Sequence, residues 1–398
     1  MKTRPLVLLL AALSMLGPFA TDSYLPALPG VGRQFNISPE LAQMTLSVYL
    51  FSYSVMTLFY GMLSDSFGRR PVIVGALSMF AVASLGATLA PSFSALLAFR
   101  ALQGLSAGAG MVVGQAIVRD TFTGPAVQRT LANIMMMFAI APAVAPVIGG
   151  QLNAAFGWRA IFALLAVFAA ALLVICARWL PESLPLAGRH PFHLRAIVRN
   201  YMAALGHRQF VLAILANGFA FAGFALYISC SANFVMHILH QPDTAFAWLF
   251  VPMIGGVVVG SACSARCATR FGSILTVYLG LATTAFGALL NLAYNAVYVA
   301  ALPWAVVPIF VYATGMALAM PGMSAIAQSL LPGLRGMVAS LQNFVQMFIF
   351  ALVAGCAPPF VFDSPWRMAQ GLAIAVALGL CLWRASTALA RKTSRVTP

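Results

Sequence analysis

Twelve long apolar runs constrain this sequence more than any other feature. A helix needs about 20 mostly apolar residues to cross roughly 30 Å of hydrocarbon, and it satisfies its backbone N–H and C=O groups internally. Strands of a membrane barrel alternate apolar and polar residues, and these runs do not. The sequence therefore predicts an all-α integral membrane protein with twelve transmembrane helices, called spans 1 to 12 below. The predicted spans cover residues 6–28, 41–63, 72–91, 95–118, 130–152, 160–180, 210–235, 246–264, 273–293, 305–328, 337–360 and 368–388.

Basic residues are distributed unevenly between the predicted loops. The chain is only 7% charged, yet its net charge is +15. If successive loops lie on opposite sides of the membrane, eighteen of the 22 basic residues fall on one side and three on the other. The positive-inside rule makes the richer side cytoplasmic, so both termini are predicted to be cytoplasmic. The positive charge then reflects orientation in an inner (plasma) membrane, and no nucleic-acid partner is expected.

Two pairs of similar segments indicate an internal repeat. The stretch "FGWRAIFALLAV" from Phe156 is similar to "SPWRMAQGLAIA" from Ser364, and "LANIMMMF" from Leu131 is similar to "LQNFVQMF" from Leu341. Both pairs have nearly the same offset, so we predict two six-helix halves. Two parallel repeats of six helices are the architecture of the major facilitator fold. A duplicated bundle that transports nothing, such as a membrane receptor or scaffold, is the alternative. The predicted boundaries are 1–180 for the first half, 181–209 for a cytoplasmic linker and 210–398 for the second half.

Two charged side chains lie well inside the predicted spans. Asp22 is in span 1 and Arg100 is in span 4, each five or six residues from the outer end of its span, at a depth of about 8 Å. A charge facing lipid costs several kcal/mol, so both side chains are expected to face the interior of the bundle. We predict that they face one cavity and sense each other's charge, with Asp22 taking up and releasing the coupled proton. The alternative is a purely structural pair that fixes spans 1 and 4.

Aromatic and amide side chains recur at helical spacing along several spans. Such groups suit an amphipathic or cationic guest through stacking and adaptable packing, although aromatic residues in membrane helices also serve plain packing. The candidate residues of a substrate cavity are Tyr24, Tyr49, Tyr53, Gln103, Asn217, Phe221, Tyr227, Asn343 and Gln346.

The sequence lacks the usual patterns of an enzyme. It contains no nucleophile–base pair, no Walker sequence and no set of metal-ligand spacings. The glycine-rich stretch "GLSAGAGMVVG" lies within an apolar run, which favours close helix packing over nucleotide binding. We therefore expect no enzymatic activity, no cofactor and no metal, and we expect a monomer whose partners are a small molecule, protons and the lipid bilayer.

Three motifs carry a family resemblance. "GMLSDSFGRRP" resembles the major facilitator signature between helices 2 and 3, "FRALQG" resembles that of helix 4, and "APAVAPVIGG" resembles the antiporter signature of helix 5, although Ala145 stands where that signature commonly has glycine. With "TDSYLPALP", "IVRDTF" and "WRAIF", the chain resembles the bicyclomycin and chloramphenicol resistance (Bcr/CflA) drug:proton antiporters. The matching residues are Gly61, Asp65, Gly68, Arg69 and Arg70 in the loop, Arg100, Gln103 and Gly104 in helix 4, and Pro146, Gly149 and Gly150 in helix 5.

The resemblance implies an inner-membrane exporter that exchanges protons for drug-like molecules by alternating access. It implies that Asp65 engages the neighbouring arginine and the start of span 11, and that Arg119 and Asp120 join this charge network. The plainer alternative is that Arg69 and Arg70 only anchor the loop.

The resemblance leaves the cargo open. A transporter of one specific metabolite remains the alternative function.

The helix 5 signature has a physical interpretation of its own. Pro142 and Pro146 remove backbone donors and are predicted to bend span 5. Gly149 and Gly150 are predicted to permit close approach to a neighbouring helix across the interface between the halves.

Overall fold

The computed structural model describes residues 3–189, 193–331, 335–362 and 364–396. Within these residues the regular structure is helical and no strand forms. Twelve segments are long and apolar enough to cross a membrane, and each matches one predicted span, so the all-helical, twelve-span prediction is confirmed. Spans 1 to 12 are Arg4–Phe35, Pro39–Phe67, Arg69–Thr88, Phe93–Thr121, Arg129–Phe156, Arg159–Trp179, Arg208–Ser229, Ala247–Phe271, Ser273–Val297, Trp304–Ser329, Gly336–Cys356 and Pro365–Ala390.

Some spans contain more than one helical element. Span 1 is broken after α1, span 4 is broken between α5 and α6, and span 7 is followed by short helical turns. The α-helices are α1 (Thr3–Asp22), α2 (Leu28–Phe35), α3 (Pro39–Phe67), α4 (Arg69–Thr88), α5 (Phe93–Ala107), α6 (Ala109–Thr121), α7 (Pro125–Phe156), α8 (Arg159–Trp179), α9 (Leu194–Gly206), α10 (Arg208–Ser229), α11 (Ser231–Asn233), α12 (Ala247–Phe271), α13 (Ser273–Val297), α14 (Val307–Ser329), α15 (Arg335–Cys356), α16 (Pro358–Val361) and α17 (Pro365–Val396). Single turns of 3-10 helix cover Leu25–Ala27, Leu186–Gly188 and Trp304–Val306, and a π-helical turn covers Phe234–Ile238.

The predicted end of span 1 was wrong. We expected the span to cover residues 6–28, but α2 continues it to Phe35. Pro29 and the glycines that follow it are typical of a loop, yet Pro29 lies in the first turn of α2, where a missing N–H costs no hydrogen bond. Asp22 therefore lies at a break inside span 1 and not near its outer end.

The chain forms two compact units. Unit 1 consists of residues 1–192 and 243–247, and unit 2 consists of residues 193–242 and 248–398. In unit 1, α1 packs on α7, α3 packs on α5, and α4 packs on α8. In unit 2, α13 packs on α14, and α10 packs on both α15 and α17. The predicted boundaries of the two halves and of their linker stay predictions.

Candidate functional site

Arg100 is fully buried inside unit 1. Helix α5, which carries it, begins at Phe93, and the Ser92 side chain caps its first turn by accepting a hydrogen bond from the Ala95 amide. This start places Arg100 two turns into the helix, away from either end. A cation at such a position must find its partners within the protein.

Hydrogen bonds from the Arg100 guanidinium reach three spans. Nε donates to the Thr45 carbonyl at 3.2 Å, and Nη1 donates to Gln103 Oε1 at 3.0 Å and to the Ala20 carbonyl at 3.4 Å. Nη2 has no hydrogen-bond partner among the described residues. The Arg100 side chain thus connects spans 1, 2 and 4, while its buried Nη2 group donates no hydrogen bond to the described residues.

Aromatic faces surround the same guanidinium. Arg100 Cζ lies 4.2 Å from the ring centroid of Tyr49, 4.9 Å from that of Tyr24 and 5.8 Å from that of Phe162. A cation over a ring face is attracted by the negative quadrupole of the ring, more strongly where water is excluded. The rings and carbonyl groups therefore stabilise the Arg100 charge where a carboxylate would otherwise be expected.

Asp22 is the last residue of α1 and is buried, with 3% of its surface exposed. It forms no ion pair with Arg100 or with any other described residue, since the ion pairs in the described part of the chain all involve Arg69 or Arg189. The predicted sensing of one charge by the other therefore does not operate through a direct salt bridge in this structure, and the role of both residues in proton coupling stays a prediction.

The cavity candidates of unit 1 lie around Arg100. Tyr24 and Tyr49 are buried against it, and the Tyr53 ring lies 6.3 Å from the Tyr49 ring, centroid to centroid. Gln103 is also fully buried, and its Nε2 donates to Ser84 Oγ at 2.7 Å. The amide of Gln103 thus joins Arg100 to span 3.

The cavity candidates of unit 2 fall into separate environments. Asn217 on α10 is buried, and neither atom of its side-chain amide has a hydrogen-bond partner among the described residues. Phe221, one turn further on, packs its ring on Phe350 at 5.8 Å between centroids. Tyr227 is held by a 2.6 Å hydrogen bond from Asn291 Nδ2 to its hydroxyl. On α15, Asn343 is exposed and Gln346 is half-buried.

A cluster of charges, the span 2–3 cluster, joins the ends of spans 2, 3 and 4. It consists of Asp65, Arg69, Asp120 and Glu182. Arg69 donates from Nη1 to Asp65 Oδ1 at 2.5 Å and to Ser64 Oγ at 2.7 Å, and from Nε to Asp120 Oδ2 at 3.0 Å. Arg69 is buried, whereas the Asp65 side chain is 47% exposed. The predicted contact of Asp65 with its neighbouring arginine is present, and its contact with the start of span 11 stays a prediction.

Glu182 is the member of this cluster that the sequence analysis missed. Its Oε1 accepts from the Arg69 amide at 2.9 Å and its Oε2 accepts from the Arg70 amide at 3.3 Å. A carboxylate at a helix N-terminus satisfies free N–H groups and interacts favourably with the helix dipole, so Glu182 caps α4. The sequence did offer one hint of its importance, because acidic residues are rare in this chain and Glu182 is one of only seven.

Gly68 gives the loop its conformation. Its φ is +102°, a left-handed value that favours glycine, and a Cβ there would lie 2.7 Å from Arg189 Nη2 and 2.5 Å from Glu182 Oε2. Arg70 donates from its guanidinium to the carbonyl of Ala177 at the end of span 6.

Two of the residues that the family resemblance singled out, Gly61 and Arg119, lie outside these contacts. Gly61 has open space where a Cβ would be. Arg119 is exposed and makes no hydrogen bond or ion pair with the described residues, so Asp120 alone of this pair joins the cluster.

The span 5 signature lies against the break in span 1. Pro142 and Pro146 are both inside α7, and a Cβ at Gly149 would overlap the backbone of Ser23, the residue after Asp22. A Cβ at Gly150 would overlap the backbone of Asp243. We expected both glycines to approach a neighbour across the interface between halves. The close neighbour of Gly149 belongs to its own half, whereas Asp243, the close neighbour of Gly150, lies in the predicted second half (210–398) although it packs with unit 1. Gly149 lets α7 approach the chain beside Asp22.

Comparisons with known proteins point to one family. Residues 8–355 match the model of the Major Facilitator Superfamily. The chain is 30% identical to a bicyclomycin resistance protein homolog of Haemophilus influenzae over 279 residues, which is 69% of each chain. It is 30% identical to multidrug resistance protein D of Escherichia coli over 270 residues, which is 68% of each chain. The fold is similar to that of the human organic anion transporter MFSD10 (TETRAN), with a TM-score of 0.73, 19% identity and coverage of 97% of this chain and 100% of that one.

Proposed function

Because this chain belongs to the major facilitator superfamily, a family of membrane transporters, we propose that it exports drug-like or amphipathic small molecules in exchange for protons. Membership confirms the family resemblance drawn from the motifs and the prediction of a transporter with no enzymatic activity. The chain is a multi-pass protein of the inner membrane. In the proposed orientation both termini are cytoplasmic, and the protein acts as a monomer without a cofactor.

The names of the relatives support the class of cargo. One is a bicyclomycin resistance protein homolog and another is multidrug resistance protein D. Export from the cell is the simplest way for a membrane transporter to confer resistance. We therefore propose that this chain moves small molecules of similar character outwards.

The observation that carries the proposal is the pair of buried charges in unit 1. Asp22 lies at a helix break with no ion-pair partner among the described residues, and the Arg100 charge is held by rings and carbonyl groups. The Asp22 carboxyl is therefore not neutralised by a fixed cation, and it is free to gain or lose a proton as its surroundings change. Proton binding at this group and cargo binding nearby would then exclude each other.

Alternating access needs elements that bend and a contact that biases the states. The breaks in spans 1 and 4 and the prolines of span 5 are the proposed bending points. The span 2–3 cluster is the proposed latch, with Asp65 reaching the start of span 11 in the state closed to the cytoplasm.

A transport assay in inverted membrane vesicles tests the proposal. Vesicles with an acidic interior should accumulate labelled chloramphenicol or a lipophilic cation, and a protonophore should abolish the accumulation. Asp22→Asn should remove it at normal membrane abundance, while Glu40→Gln, a change at the start of α3, should not. Accumulation that survives the protonophore would contradict proton exchange. Accumulation of a metabolite alone, in an untargeted screen, would contradict drug export.

A further inference from the structure

Unit 2 contains a cavity, and its lining includes none of the candidate site residues described above. It has a volume of about 490 Å³ and lies where α13 ends and α14 begins, between Leu290, Tyr294, Tyr298, Trp304 and Val307. Small-molecule sites have volumes of roughly 300–1,000 Å³ and are mostly apolar. The cavity thus has the size of a binding site for one small guest.

Hydrogen bonds fix the wall of this cavity before any guest arrives. The Tyr294 hydroxyl accepts from the Ala301 amide at 3.2 Å and lies 3.3 Å from the Val299 carbonyl, so it holds the loop that follows α13. The Tyr294 and Tyr298 rings stack with 5.8 Å between centroids and 28° between planes. Binding of a guest would therefore carry no free-energy cost for ordering this loop.

The lining favours a cation. Three of the lining side chains are aromatic, and those that the structure describes carry no charge. Tyr298 is 65% exposed and Trp304 is 66% exposed, so much of the surface of each side chain stays uncovered even though Tyr298 stacks on Tyr294. Ring faces carry negative potential, so they attract an ammonium group and repel an anion, and Trp is the best of the aromatic residues for this contact.

The depth of the cavity adds a second requirement. It lies at the ends of spans 9 and 10, where a membrane meets water and where Trp and Tyr are enriched. A guest at this depth has its polar head towards water and its apolar part towards hydrocarbon. We propose that the cavity binds an amphiphile with an ammonium head, taken from the membrane–water interface. This site goes beyond the proposed export function and does not depend on it, because it involves neither Asp22 nor Arg100.

Equilibrium dialysis of the full-length protein in maltoside micelles tests the proposal, with protein-free micelles as the blank. The probes are benzoylcholine and its neutral carbon isostere, 3,3-dimethylbutyl benzoate, which has the same shape without the charge. Benzoylcholine should bind saturably and about tenfold more tightly than the isostere, since each accessible ring contributes a factor of about two to five. Equal affinity of the two probes, or no saturable binding of benzoylcholine, would overturn the proposal.

Variants of Trp304 locate the binding. Trp304→Leu should weaken benzoylcholine binding about fivefold and leave the isostere within about twofold, because it removes a π face and keeps an apolar side chain. Trp304→Phe keeps a ring and should retain most of the affinity. The matched control is Trp248→Leu, which changes another exposed tryptophan of unit 2 that does not line the cavity. Unchanged affinity in Trp304→Leu, or an equal loss in the control, would exclude this cavity as the site.

Discussion

The two units share a backbone turn but surround it differently. Gly68 follows α3 in unit 1 with φ of +102°, and Gly272 follows α12 in unit 2 with φ of +81°. The side chains of Glu182 and Arg189 crowd Gly68, whereas among the described residues no atom beyond the adjacent residues of the chain lies within 4 Å of the place where a Cβ on Gly272 would be. The same turn therefore occurs in both units, and among the described residues charged side chains crowd only the turn of unit 1.

The charges next to the two turns differ in the same way. Arg69 binds two carboxylates, while the Arg270 guanidinium lies 5.4 Å from the ring centroid of Phe271. Thr269 precedes Gly272 by three residues, as Asp65 precedes Gly68, and it donates from its hydroxyl to the carbonyl of Arg266 on its own helix. In the described part of the chain, the same backbone turn thus carries a charge network in unit 1 and none in unit 2. Function is therefore expected to depend on the turn in unit 1.

Arg100→Leu should have the largest effect. It removes the donor of the Gln103 amide oxygen and the side-chain hydrogen bonds to the carbonyls of Thr45 and Ala20, and because hydrogen bonds from a charged group are the stronger ones, the cost is roughly 3 kcal/mol or more. Transport should fall to background, and the unfolding temperature of the purified protein should drop. Arg100→Lys should restore part of the stability but little transport, because an ammonium lacks the planar fork of a guanidinium. If Arg270→Leu in unit 2 were equally damaging, the proposed asymmetry would be wrong.

Gly68→Ala and Gly272→Ala form a matched pair with the next largest difference. Both place a Cβ where φ is positive and ψ is near 155–160°, a region essentially restricted to glycine, which costs roughly 1–3 kcal/mol. At Gly68 the new methyl group must also displace the carboxylate of Glu182, so the helix cap is lost. Transport by Gly68→Ala should fall several-fold more than transport by Gly272→Ala. Equal losses in initial efflux rates, corrected for membrane abundance, would mean that only the turn matters.

Asp65→Asn should lower transport at normal membrane abundance. The Asp65 side chain is half-exposed, so its ion pair with Arg69 contributes at most about 1 kcal/mol to folding, and stability should barely change. A latch needs only such a small bias to shift two states. Thr269→Asn is the matched change in unit 2 and should have no effect on efflux. Wild-type turnover by Asp65→Asn would leave the loop with a purely topological role.

Glu182→Gln should have the smallest effect. The amide oxygen still accepts one hydrogen bond from the N-terminus of α4, but the negative charge is lost, so about 0.3–1 kcal/mol of stabilisation disappears. We expect a small drop in unfolding temperature that disappears in high salt, since salt screens the interaction of a charge with the helix dipole. A loss of stability as large as that caused by Arg100→Leu would contradict this small capping contribution of Glu182.

The sequence predicted the twelve spans because hydropathy is a local property. It missed the continuation of span 1 to Phe35, since proline and glycine are typical of loops and only the backbone shows Pro29 in a helical first turn. Arg100 was identified as buried because a charge in an apolar run stands out. Its partners were not predicted, because the Thr45 and Ala20 carbonyls carry no sequence signal.

The spatial contacts of the motif residues were harder to predict than the motifs themselves, because several of their partners lie far away along the chain. The spacing of Asp65 and Arg69 is local, and their contact forms as expected. Glu182 is more than a hundred residues away along the chain, and nothing in a single sequence joins it to the N-terminus of α4. The same holds for Gly149, whose neighbour Ser23 lies in span 1.

The central claim is that the Asp22 carboxyl exchanges its proton for cargo. It is tested most directly by measuring proton release when a transported compound is added to purified protein in a weakly buffered solution. The wild type should release about one proton per molecule, because linkage makes each ligand lower the affinity for the other. Asp22→Asn has a neutral side chain that mimics the protonated carboxyl, so it should bind the compound more weakly and release no proton on binding. Undiminished proton release from Asp22→Asn would contradict the claim.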